Sequence, residues 1–178
     1  MKIHRNIVEL DAIDRGILDG LQENCKQSLA VLGDKVGLSA PSVVDRIHKL
    51  EEASVIRGWT VQLDARRAGK DVTSFIGVST DRPAAIRSVG RAVALIDEVL
   101  ECHHVTGAHT LMLKVKTRNT ESLEGLIDRV RDLEGVTRTE TLVVLSTHVE
   151  RSRISFEEDG EADDEPTAHH RTRKRSGE

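Results

Sequence analysis

Two groups of residues have the types and spacing to do chemistry. The first is Ser39-Ala40-Pro41-Ser42, followed by Arg46 and Lys49, with Arg57 a little further on. Small polar residues at the start of a short helix suit the major groove of double-stranded DNA. Cations later in the helix and just beyond it reach phosphates. The second group is Cys102-His103-His104 with His109. Thiolate and imidazole ligands suit zinc or copper. Consecutive strand residues point to opposite faces, however, so His103 and His104 cannot share one site without distortion. Ordinary strand and turn residues, with no metal, is the preferred reading. If these histidines lie at an interface between copies of the chain, they would make assembly sensitive to mild acid. No nucleophile elbow, phosphate loop or paired-carboxylate motif is present. No catalytic residue is therefore assigned, and neither an enzyme nor a cofactor is expected.

The first group needs a helical frame, and residues 1–60 provide its pattern. Asp11 precedes an amphipathic run with Ile13, Ile17, Leu18 and Leu21 on one face, and Asp14 completes a capping arrangement. A short helix fits Leu29–Val36, and Gly37 supplies a turn. Ser39 caps a third helix, Pro41 falls in its first turn, and Val43, Ile47 and Leu50 recur at helical spacing until about Ala53. Residues 55–61 then read as an extended, hairpin-like wing bent at Gly58. This is a winged helix-turn-helix pattern. The bland alternative is a three-helix bundle with solvated charges. Of the side chains near the groove, Ala40, Ser42, Val44, Asp45 and His48 include no bidentate guanine reader, so DNA shape would carry much of any specificity.

Residues 61–70 read as a linker and 71–150 as a second domain. Its order is strand, helix, strand, strand, helix, strand. The strands begin near Thr73, Val99, Thr110 and Val136. One helix starts at Pro83, and another carries Leu123, Leu126, Ile127, Val130 and Leu133 on one face. That βαββαβ order predicts a ferredoxin-like fold, giving an α+β protein overall. Helices on one face of such a sheet leave the other face free for a partner. Residues 151–178 are expected to be a disordered charged tail. Residues 157–178 hold eight acidic and four basic side chains, so residues 1–156 carry 22 of each sign, and bulk charge neither favours nor excludes DNA. Aromatic residues are only 2% of the chain, which argues against a base-stacking binder of single strands. Cys25 and Cys102 form no redox motif, and no signal peptide or bilayer-length apolar run is evident, so a cytoplasmic protein without a membrane is expected.

With these segments placed, the sequence resembles the Lrp/AsnC, or feast/famine, family of prokaryotic regulators. Leu10-Asp11-Ala12-Ile13-Asp14 through Leu18 is similar to the family's opening helix. Val36-Gly37-Leu38-Ser39, Val43, Arg46-Ile47, Leu50-Glu51 and Val55-Ile56 resemble its recognition-helix pattern. Gly58–Asp64 resembles its wing and linker, Val99–Gly107 the strand and turn ahead of its effector site, and Leu133–Thr141 its last strand. The resemblance spans about residues 8–148. It implies a homodimer on double-stranded DNA, sheets paired face to face, assembly into tetramers to octamers, and a small effector, commonly an amino acid. By the resemblance, the DNA-facing set is Ser39, Ala40, Pro41, Ser42, Arg46 and Lys49. The effector turn is Val105, Thr106, Gly107, Ala108, His109 and Thr110. The family turn usually runs Thr-Gly-x-x-Asp; here Thr110 stands in the last place, removing the carboxylate that would meet an ammonium group. Two further departures are Gly33, where the family has Ala, and Ser54, where it has a helix-ending Gly. Two other readings are weighed: an assembly module that no longer binds DNA, and a relative of the tetrapyrrole-binding sirohaem decarboxylases. The latter use a His-Asn-Tyr-x-Arg stretch where this chain has Cys102–Thr106, and this chain contains no Tyr.

Overall fold

A computed structural model of the protein describes residues 7–156. They form two units. Unit 1 is built from residues up to Trp59 together with Ser152–Phe156, and unit 2 runs from Thr60 to Arg151.

Unit 1 contains α1 (Ala12–Glu23), α2 (Leu29–Val36) and α3 (Ala40–Glu52). Each start is capped by a side chain that accepts from a backbone N–H left open by the first turn: Asp11 from Asp14, Ser28 from Val31, and Ser39 from Ser42. At α1 the arrangement is reciprocal. Asp11 Oδ1 accepts from the Asp14 N–H at 2.7 Å, and the Asp14 carboxylate accepts from the Asp11 N–H at 3.4 Å. The core is Ile17, Leu18, Leu32, Val43 and Leu50, with Ile13, Ile47, Val55, Ile56 and Phe156 packed around it. Between α2 and α3 the chain turns at left-handed Gly37, and Gly33 lies under the turn. A Cβ on Gly33 would sit 2.4 Å from the Leu38 carbonyl oxygen. The departure to glycine at position 33 therefore has a steric reason: the backbone of the turn approaches too closely for alanine.

Two expectations are corrected in unit 1. Residues 55–61 form no hairpin wing, and no strand lies between α3 and residue 72 among the described residues. The N–H groups that a wing would use, those of Val55 and Ile56, both donate to the Leu50 carbonyl instead, at 2.9 and 3.1 Å. The fold-back runs through Ser54, whose φ of 57° is the left-handed geometry for which glycine is the comfortable choice. Nor is the region from 151 onward simply a free tail. Arg153 pairs with Asp19 at 3.0 Å. Gln22 accepts from the Ile154 N–H at 2.8 Å and donates to the Ile154 carbonyl at 3.0 Å. Phe156 packs on the helical core. Residues 152–156 are thus a strap along α1, held by the Arg153–Asp19 ion pair, the Gln22–Ile154 hydrogen bonds and the Phe156 ring. The expected tail of 157–178 lies outside the described residues.

Unit 2 contains β1 (Val72–Thr80), α4 (Pro83–Val93), β2 (Val99–His104), β3 (Leu111–Thr117), α5 (Thr120–Arg131) and β4 (Val136–Val143). The strands form one antiparallel sheet in the order β2-β3-β1-β4, the ferredoxin-like arrangement expected from the sequence. Ile76, Val78, Leu111, Leu113 and Val115 from the sheet meet Val89 and Val93 of α4 and Leu123, Leu126 and Val130 of α5. Strand alternation sends the other side chains to the opposite, helix-free face. There, register aligns Glu101, Lys114, Phe75 and Leu142 in one row and His103, Met112, Gly77 and Glu140 in the next. Among the described residues, no helix is long and apolar enough to cross a membrane.

Candidate nucleic-acid interface and ligand turn

The residues expected to face DNA lie at the start of α3 and after its end. Ser39 caps the helix, and its hydroxyl lies 2.9 Å from that of Ser42. Both hydroxyls are thus partly spent on each other, while Pro41 stands exposed and Ala40 half-buried beside them. Lys49, in the last turn, and Arg57, after the fold-back, are exposed cations with no carboxylate partner among the described residues. His48 lies 3.4 Å from Glu51, which also accepts from the Trp59 indole at 2.9 Å.

Arg46 differs from the expectation of a cation free to reach a phosphate. Its Nη1 donates to Asp14 Oδ1 at 2.9 Å and also to Asp11 Oδ2. Those are the acids of the α1 capping box, so the guanidinium joins α3 to the first turn of α1. Arg46 beside it holds the Asp11 carboxyl below its ordinary range. The signal was present in the sequence. Arg46 lies three residues after Val43 and four before Leu50, on the same helical stripe as the core positions and not on the outward face.

The effector turn, Val105–Thr110, joins β2 to β3 in unit 2. Its ends are tied by the Val105 N–H donating to the Thr110 carbonyl at 3.1 Å, and the Thr110 N–H donates to Val78 at 2.9 Å. Gly107 occupies the bend, with Thr106 and Ala108 exposed on either side. The Thr110 hydroxyl faces inward, 3.5 Å from that of Thr80. His109 lies back across the helix-free sheet face. A Cβ on Gly77 would come within 2.5 Å of its ring, so the glycine makes the bed on which the imidazole rests. One ring nitrogen, Nε2, is 3.5 Å from Glu140, while Nδ1 is buried without a hydrogen-bond partner. This burial depends on sheet register, which local spacing does not reveal.

Cys102, His103 and His104 do not converge with His109. His103 pairs with Glu101 at 2.9 Å on the open face, and Cys102 aligns with Leu113 on the other face of the edge strand. Among the described residues, no group of three or more His, Cys, Asp or Glu side chains is placed to hold a metal ion. On the open face, Lys114 bridges Glu150 at 2.8 Å and Glu101 at 3.2 Å, and Lys116 lies 3.5 Å from Glu150. The bond to Glu150 raises Lys114 above the ordinary lysine range and lowers the glutamate. The Glu101 carboxyl is lowered chiefly by His103.

Residues 10–51 match the AsnC-type helix-turn-helix domain, and residues 73–154 match the Lrp/AsnC ligand binding domain. The chain is 31% identical over 147 residues to the HTH-type transcriptional regulator FL11 of Pyrococcus horikoshii, covering 83% of this chain and 97% of that protein. The chain belongs to the Lrp/AsnC family. As a member, it is a helix-turn-helix transcriptional regulator. It is also 30% identical to the regulatory protein AsnC of Escherichia coli, over 80% of this chain and 95% of that one. The solved structure of that AsnC superposes with a TM-score of 0.77 over 82% of this chain and 99% of the other, at 29% identity. A feast or famine regulatory protein from Mycobacterium tuberculosis, solved in complex with L-methionine, gives the same TM-score at 26% identity, again over 82% and 99%.

Proposed function

We propose that this Lrp/AsnC regulator binds double-stranded DNA as a homodimer, with the start of α3 in the major groove and Lys49 and Arg57 on phosphates. The observation that carries this reading is the charge state of α3 and its exit. The helix offers a capped, small-residue N-terminus, and the exposed cations near its end have no carboxylate partner among the described residues. Backbone N–H groups at a helix start add phosphate donors of their own. Ser39, Ala40, Pro41 and Ser42 form the base-facing edge.

Dimers pair through the helix-free sheet face, where Phe75 and Leu142 are exposed between charge-balanced residues, and dimers build tetramers to octamers. A small ligand acts at the Val105–Thr110 turn and shifts assembly or DNA affinity. The relative with bound L-methionine supports an amino-acid-sized occupant. Thr110 cannot supply an ionised partner for an ammonium, and its hydroxyl is turned toward Thr80, so a ligand that does not rely on that charge is favoured. The protein works in the cytoplasm, where DNA is reached, and regulates without catalysing a reaction.

The test is a gel shift of the purified chain on its own upstream region across a salt series. Tight binding that exceeds binding to scrambled DNA and falls steeply with salt is the expected result. A folded, dimeric protein that retards no duplex at low salt would refute the reading and leave the assembly module. Adding L-methionine to the same assay tests the ligand: no change in affinity or assembly is expected from a turn lacking the acidic residue.

A further inference from the structure

Arg46 is the residue whose surroundings fit least well with its expected role. On α3 it sits among Val43, Ile47 and Leu50, and it crosses to the N-terminus of α1. The two carboxylates that receive it are already organised. Within the capping box, Asp11 Oδ1 takes the Asp14 N–H, and Asp14 Oδ2 takes the Asp11 N–H. The remaining oxygens, Asp11 Oδ2 and Asp14 Oδ1, take Arg46 Nη1. All four oxygens of the pair are therefore engaged, and the guanidinium ties the cap to α3. Bridging contacts fix orientation, because moving α3 along or around its axis breaks one bond or the other. Arg46 is also well covered, its side chain 30% exposed, whereas Lys49 and Arg57 stand in solvent.

We infer that Arg46 is a positioning residue, which locks the angle of the recognition helix against α1 through the Asp11–Asp14 capping box and spends no charge on a DNA phosphate. The inference rests on the DNA-binding reading, and the two separate cleanly in experiment. A phosphate contact releases a counterion and lowers the salt slope of binding by about 0.9 when removed; a positioning contact lowers affinity and leaves the slope unchanged. Their acidic partners separate the roles further. If Arg46 served phosphate, removing Asp14's charge would relieve repulsion of DNA and tighten binding. If Arg46 serves position, removing that charge loosens the helix and weakens binding.

The experiment uses the full chain, at a temperature where every variant is folded, with Arg46→Gln, Arg46→Lys, Asp14→Asn and the double variant R46Q/D14N. Lys49→Gln is the comparator. Arg46→Gln is expected to weaken binding roughly ten-fold on the upstream duplex. The preference over scrambled DNA also falls, with an unchanged salt slope. Asp14→Asn also weakens binding, the double variant is no worse than the weaker single, and Arg46→Lys recovers part of the loss. Lys49→Gln lowers the slope by about 0.9 per phosphate contact. A slope that falls for Arg46→Gln as it does for Lys49→Gln, or an Asp14→Asn variant that binds more tightly, overturns the inference. A role in stability alone would leave the affinity of the folded variants untouched, and that result would overturn it too. If Arg46→Gln does not fold, Arg46→Lys and Asp14→Asn decide by the same readouts. If the unaltered protein binds no duplex, the DNA reading fails, and a thermal-unfolding cycle for Arg46 and Asp14 judges the bridge by itself: additive losses refute it.

Discussion

Two surfaces, one in each unit, treat their cations in opposite ways. On the helix-free sheet face of unit 2, Lys114, Lys116 and Arg138 each have a glutamate within salt-bridge distance, and two of the three share Glu150. At the end of α3 in unit 1, Lys49 and Arg57 have none among the described residues. Bulk composition conceals this, since residues 1–156 are neutral overall. A neutralised face can be buried against a copy of itself without stranding charge, because its polar groups arrive already paired. An unneutralised pair of cations is available to an external polyanion. Neutral overall charge is therefore compatible with binding DNA when the pairing is uneven across the molecule.

Removing the free cations should have the largest effect. Lys49→Ala with Arg57→Ala is expected to weaken DNA binding roughly a hundred-fold and to flatten its salt slope by about 0.9 per lost contact. Lys116→Ala in unit 2 should leave both unchanged. Equal effects from the two units, in the same salt series, would break the contrast.

The next effect should fall on assembly. Lys114→Glu would place three carboxylates together at Glu101, Glu150 and the new side chain, and should weaken the proposed homodimer by roughly ten- to a hundred-fold. Sedimentation at graded protein concentrations measures it. An unchanged dimer would remove the sheet face as the pairing surface.

Third, Phe156→Ala is expected to cost unit 1 about 1–2 kcal/mol, since the ring is partly buried against the helical core. Hydrogen exchange resolved by unit reads this out. Faster exchange in α1, with unit 2 unaltered, is the expected pattern.

The smallest effect is that of pH. Glu101 and Glu150 are lowered below the ordinary glutamate value of 4.5, so their pairing stabilises unit 2 fully above that value and is lost below it, as pH falls through the lowered folded-state values. Lys114 is raised, so its contribution is complete at neutral pH and is lost only as pH rises beyond the lysine range. Because these groups are partly exposed, the change should amount to a few tenths of a kcal/mol, followed by thermal unfolding from neutral pH to well below 4.5. A steep fall already near neutral pH would point away from these glutamates.

What was legible in the sequence follows from the range of the interactions involved. Caps are local, and Asp11 and Ser39 marked their helices correctly. Period-two alternation over residues 110–116 placed β3 to within a residue. Val55–Val61 has strand composition but forms no wing, because the Val55 and Ile56 N–H groups are claimed by the Leu50 carbonyl. The inward placement of Arg46 is legible in its helical stripe, and the paired aspartates at the start of α1 are its partners. The bed of His109 on Gly77 and the docking of Phe156 were not readable. One depends on sheet register, and the other joins residues more than a hundred positions apart, with no periodicity to announce it.

The strap has a consequence for how the protein is made. Synthesis proceeds from the N-terminus, so α1, α2 and α3 leave the ribosome first. Arg153 and Phe156 follow only after all of unit 2, an interval of seconds at roughly 5–20 residues per second. Until then Asp19 and Gln22 lack their strap partners, and the helical core lacks its one aromatic ring. The part of the chain that is born first is finished last. A message cut short before position 152 would yield a protein able to complete its sheet but never its reading head.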